Sequence, residues 1–166
     1  MSVLAADLKI YNSGGAANSN PNASLGGAVS SVEIVDNTLH NLFDAVTGDE
    51  HTAGDIEYRA IFFKNTSAET AYNVKFWIES NTTGADSAIT IAKETASGSP
   101  IQTVANESTA PTGLSFVTAV DQANALSLGD MSAGTVYGIW IKRTITAGST
   151  PQANDTAVLK VYVDTL

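Results

Sequence analysis

The sequence predicts an all-β chain. The expected fold is a single β-sandwich of about eight or nine strands, with one short helix and a long N-terminal arm. Three observations carry this. Several runs alternate polar and apolar residues with the period of two that a half-covered strand requires. Turn clusters of Gly, Asn, Ser and Pro separate the runs at short intervals, without helices between most of them. Ala, Thr, Ser, Asn and Gly make up about half of the 166 residues, a composition suited to tight turns and close sheet packing. Ig-like and jelly-roll connections both fit the pattern. One domain is the expectation at this length.

Taken in order, Leu8 to Tyr11 is a short apolar run. The loop from Asn12 to Gly27 is too polar for a core and too long for a simple turn. Residues 1–28 are therefore expected as an arm and 29–166 as the sandwich domain. Val32 to Val35 is a short strand candidate. Leu39, Leu42, Phe43 and Val46 recur at helical spacing, so a helix is expected over Asn37 to Val46, capped by Asn37 or Thr38 and ended by Gly48. Ile56 to Asn65 is a strand with Ile56, Tyr58, Ala60 and Phe62 on one face and Glu57, Arg59, Ile61 and Phe63 on the other. Tyr72 to Ser80 alternates again, so the pair forms a hairpin or crosses between sheets. Short strands are expected over Ala88 to Lys93, Ile101 to Val104, Leu114 to Val117 and Leu126 to Leu128, with a turn from Gly129 to Gly134. Thr135 to Thr146 and Asp155 to Asp164 read as a second long hairpin.

Eight basic against 17 acidic residues give a net charge of −9, with 15% of residues charged and 43% apolar. This balance excludes a highly charged disordered chain and electrostatic binding to DNA or anionic lipid. Cysteine is absent, which excludes disulfides, thiolate catalysis and Cys-ligated metals. Met1 to Asp7 has neither a basic segment nor a long apolar run, so no signal peptide is expected. No stretch approaches the ~18 apolar residues of a membrane helix.

One acidic cluster stands out, formed by Asp44, Asp49, Glu50, His51, Asp55 and Glu57. Hard cations favour such carboxylates, but the spacing is not that of an EF-hand, and a solvated loop reads the same way. His40 and His51 lack zinc spacing. No Gly-x-Ser-x-Gly elbow and no phosphate-binding glycine pattern occurs. Glu57 and Glu79 would form a glycosidase-like carboxylate pair if they faced each other. Asn22, Asn65, Asn81, Asn106 and Asn154 open glycosylation sequons, which a chain rich in Asn, Ser and Thr produces by composition. Trp77 and Trp140 fall on the more polar faces of their strands, where an aromatic ring packs, anchors an interface or stacks on a sugar.

Three stretches resemble the small virion structural proteins of tailed bacteriophages. They are DLKIYNSGGAANSNPNASLGG, AGDIEYRAIFFKNTSAETAYNVKFWI and AGTVYGIWIKRTITAGSTPQANDTAVLKVYVDT. The resemblance implies a β-sandwich that decorates or cements the capsid, or else belongs to the tail. It implies no catalysis and no cofactor. The implied partners are the major capsid protein and other copies of the chain, as a homo-oligomer on the virion surface after synthesis in the host cytoplasm. The expected interface residues are Leu4, Leu8, Ile10, Tyr11 and Leu25, which would anchor the arm, with Trp77 and Trp140. A tail, baseplate or fibre module is the alternative role, and a carbohydrate-binding sandwich a further one.

Overall fold

A computed structural model describes residues 3–82, 84 and 86–164. Among the described residues nine strands form three antiparallel sheets, consistent with the all-β sandwich the sequence predicts. The strands are β1 (Leu8–Asn12), β2 (Gly26–Gly27), β3 (Asp55–Asn65), β4 (Ala71–Ser80), β5 (Ser87–Lys93), β6 (Ile101–Thr103), β7 (Leu126–Met131), β8 (Val136–Ile145) and β9 (Val158–Asp164). One sheet has the order β1-β3-β8-β5, a second β7-β4-β9, and β2 pairs with β6 as a short ribbon.

The four-stranded sheet is covered on both faces, and the middles of β3 and β8 are accordingly buried on both. One face presents Ile61, Phe63, Ile139, Ile141, Ile89 and Ile91 to Val74, Phe76, Ile78, Leu128 and Met131 of the three-stranded sheet. The rings of Phe63 and Phe76 meet across this gap at 5.7 Å between centroids. The other face carries Tyr58, Ala60, Ala92 and Trp140, covered by Val104, Leu25, Ile101, Leu114 and Phe116. Each fully buried large apolar side chain contributes roughly 1.5–3 kcal/mol.

The two long strand pairs are both crossings. β3 and β4 follow each other in sequence but lie in different sheets, and so do β8 and β9. The expected second hairpin is therefore absent. β8 instead pairs with β3, from Lys64↔Val136 to Asp55↔Ile145. The long loop before β9 carries the chain from one layer to the other.

The segment read as an arm belongs to the sandwich. β1 runs in full register with β3, from Leu8↔Asn65 to Asn12↔Ile61. The polar loop after it is held by its own side chains: Asn18 Nδ2 donates to the Ser13 carbonyl (2.6 Å), and Gly26 N donates to Ser13 Oγ (3.1 Å). Past the end of β1 this loop continues the sheet edge, with Ala60 N donating to the Ser24 carbonyl (2.7 Å). Gly26 is required where the ribbon forms. Its φ is +95°, and a Cβ there would lie 1.9 Å from the Gln102 carbonyl oxygen.

The helix also lies elsewhere than expected. Residues 37–46 form turns, with Asn37 and His40 both at φ 57°. Leu42 and Phe43 pack on the main core from this turn rather than from a helix face. The helix is α1 (Gly48–Ala53), started by a capping box in which Glu50 N donates to Thr47 Oγ1 (3.3 Å) and Thr47 N to Glu50 Oε2 (2.5 Å). Residues 32–35 and 114–117 form isolated bridges rather than strands, Tyr11↔Glu33 and Ile91↔Val117. β7 extends through the expected turn at Gly129 to Met131.

Candidate functional site

Both arginines of the chain lie in one cluster within the fold. Register places Glu57 directly opposite Arg143 and Arg59 opposite Ile141, so the three charges share one sheet face with the apolar core. Glu57 and Arg59 are fully buried and Arg143 is 9% exposed. Arg143 Nε donates to Glu57 Oε2 in a close ion pair. Arg143 Nη1 donates to the Asp44 carbonyl at 2.9 Å. Arg59 Nη2 donates to Glu107 Oε2 (2.5 Å) and Asn22 Oδ1 (3.2 Å), and its Nη1 to the Tyr58 carbonyl (3.2 Å). Phe43 lies against both guanidinium groups, 4.6 Å from Arg143 and 5.4 Å from Arg59, measured from ring centroid to Cζ.

The cluster ties four separated segments together: the turn at Asn22, the turn at Phe43–Asp44, the β3–β8 pair and the loop at Glu107. Its guanidinium groups are already engaged by carboxylates and carbonyls, so the arrangement serves folding rather than anion capture. Burial pushes the Glu57 carboxyl above its ordinary 4.5, against the opposing pull of the Arg143 hydrogen bond and the Arg143 and Arg59 charges. Within the cluster, the buried Glu57 Oε1 and Arg59 Nε have no hydrogen-bond partner among the described residues.

The acidic segment divides. Asp44 joins the arginines. Asp49 and Glu50 lie in the first turn of α1, and His51 near its end is buried with Nδ1 3.2 Å from Ser149 Oγ. Glu50, Asp55 and Glu57 bring carboxylate oxygens within 4.8 Å of one another. His40 is exposed. Glu57 and Glu79 sit in different sheets with different partners, Arg143 for Glu57 and Lys160 for Glu79.

The seven expected interface residues have divergent environments. Leu4 is 63% exposed, the only one of them with a largely free apolar side chain. Ile10, Tyr11 and Leu25 are half-buried. Leu8, Trp77 and Trp140 are buried, at 7%, 5% and 0% exposure. Trp140 fills the second core and donates from Nε1 to Glu94 Oε1 at 2.8 Å. Its face reads as polar because the residues that cover it come from distant loops. Neither tryptophan offers a ring face for stacking on a sugar.

Apart from Leu4, the exposed apolar surface comes from other residues. Val35 and Leu39 are each 64% exposed, Val120 53% and Val117 38%. Val35 and Leu39 line a shallow groove of ≈ 250 Å³ with Pro21, Val32, Ile34 and His40. Leu39 shares the helical spacing of Leu42 and Phe43 in the sequence but, unlike them, does not pack on the core. No family model, curated protein or solved structure matches the chain.

Trp77 supports a second polar group. Its Nε1 donates to Glu79 Oε2 (2.7 Å), while Lys160 Nζ donates to Glu79 Oε1 (2.8 Å). Hydrogen bonds from Lys160 and then Trp77 hold the Glu79 carboxyl below 4.5. A depressed carboxylate stabilises the fold above its unfolded pKa, and that contribution is lost as pH falls through the folded value. The Trp77 indole N–H resonance is expected to titrate with a midpoint below 4.5, and Lys160→Met to move the midpoint upward. NMR titration checks this; a midpoint unmoved by the substitution would contradict the assigned cause.

Proposed function

We propose that the chain is a non-enzymatic virion structural protein, a capsid decoration protein that binds the outer shell in many copies and bridges subunits of the major capsid protein. The observation that carries this reading is the exposed apolar pair Val35 and Leu39 on an internally stitched sandwich. Large apolar side chains held out to solvent beside a groove favour a protein partner. A body with ordered loops loses little conformational entropy on docking, and repetition around a symmetric shell multiplies a weak contact. The electrostatics agree. Both arginines are buried, as are Glu57 and Asp86, which leaves six lysines against 15 acids (17 less two) on a chain of net charge −9. Such a surface suits the outside of a shell better than contact with packaged DNA.

The test is the copy number in purified particles relative to the major capsid protein. A simple ratio on the order of hundreds of copies per particle, retained on tailless heads, is the expected result. A few copies, or loss together with the tails, would replace this reading with a tail or fibre module. Absence from particles would remove the virion reading.

A further inference from the structure

We propose that Glu50, Asp55 and Glu57 form a calcium site at the corner where α1 turns into β3. The three carboxylates have oxygens within 4.8 Å of one another. Calcium holds oxygen ligands at about 2.3–2.6 Å, so two ligands of one ion lie at most ~5 Å apart, and the cluster falls within that span.

The second observation concerns how each carboxylate is held. One oxygen of each is fixed by a donor of the chain: Glu50 Oε2 by Thr47 N (2.5 Å), Asp55 Oδ1 by Ile56 N (2.8 Å) and Glu57 Oε2 by Arg143 Nε. The other oxygen of each accepts no hydrogen bond from a described residue. For Glu57 this is an anomaly, because the side chain is 1% exposed and its Oε1 is buried without a partner. A buried carboxylate oxygen without a donor pays a desolvation penalty that a bound cation would remove.

The charges fit a divalent ion. Glu50, Asp55 and Glu57 carry three negative charges, and Arg143 supplies one positive charge, which leaves two uncompensated. Asp44 and Glu107 face Arg59, and Asp44 also lies 3.5 Å from Arg143, so they add one further uncompensated negative charge beside the site. The backbone presets the geometry. Asp55 and Glu57 are two apart on one strand and share its face, and Gly54 at φ +75° folds the helix carrying Glu50 back against them. The ligands lie within eight consecutive residues, so the site is built locally and needs no partner chain.

The test uses the full chain, stripped with chelator and titrated with calcium chloride by calorimetry, with thermal melts in parallel. One ion per chain is expected, with a rise in Tm of roughly 5–10 °C at a hundredfold excess over Kd. Asp55→Asn and Glu50→Gln are each expected to weaken binding by roughly tenfold or more while leaving the chelator-treated Tm nearly unchanged. Two substitutions are named so that a misfolded variant does not decide the question. Absence of calcium binding to the wild-type chain, or binding that survives both substitutions, would overturn the site. The purified chain is sufficient, so the outcome is independent of whether particles carry the protein.

Discussion

A chain that begins at Val29 is expected not to fold cooperatively. Deleting residues 1–28 removes β1, and with it the five-residue ladder that closes one edge of β3. Buried Val3 and Leu8 leave the main core, and Leu25 leaves the second one. The backbone N–H of Ala60 loses its acceptor at Ser24, and the ribbon partner of β6 disappears. Burying one side chain of Val or Leu size contributes roughly 1.5–3 kcal/mol, and domains have only ~5–15 kcal/mol in total. Losing two or three such groups together with a strand thus approaches the whole stability. Circular dichroism melts and amide NMR spectra of the truncated chain check this. A sharp transition within about 5 °C of the full chain would show the segment to be a detachable arm.

Arg143→Ala is expected to destabilise the fold by about 3–5 kcal/mol, because it leaves the Glu57 carboxylate buried and unpaired. The same substitution also removes the donor to the Asp44 carbonyl and the cation against Phe43. The pair itself contributes much less than this, since burying two charges offsets most of their attraction. Replacing both partners, as Glu57→Leu with Arg143→Met, should therefore recover most of the loss. Guanidinium unfolding of the single and double variants separates the two effects. A single variant as stable as the wild type would mean that the cluster is solvated and does not act as a staple.

Strands that alternate within one continuous run were legible in the sequence: β3, β4, β5, β8 and β9 follow from their periodicity. Pairing was less legible. Alternation shows which residues share a face but not which strand lies alongside, so β8 and β9 read as a hairpin although each joins a different sheet. The helix was displaced because Leu39, Leu42, Phe43 and Val46 match helical spacing by accident of a turn. The stronger local signal was Thr47 followed by Glu50, a capping box three residues apart. The charge cluster also left a trace. Arg59 and Arg143 each share a strand face with isoleucines, and Glu57 precedes Arg59 on the same face. A charge at a core-facing position implies a buried partner. What periodicity could not show is that Asn22, Asp44 and Glu107 arrive from loops to complete it. Trp140 failed for the same reason, since the loops that bury it lie far along the chain.

The pairing of β3 with β8 sets a timetable for synthesis. It joins Lys64 to Val136 and Asp55 to Ile145, partners 72 and 90 residues apart. At about 5–20 residues per second, β3 waits roughly 4–18 s on the ribosome before its neighbour exists. During that wait Ile61, Phe62 and Phe63 form an apolar strand with an open edge, which is the kind of segment that recruits other chains. Nascent chains on one message are close together, so this open edge is the point at which synthesis exposes the chain to self-association before β8 closes the sheet.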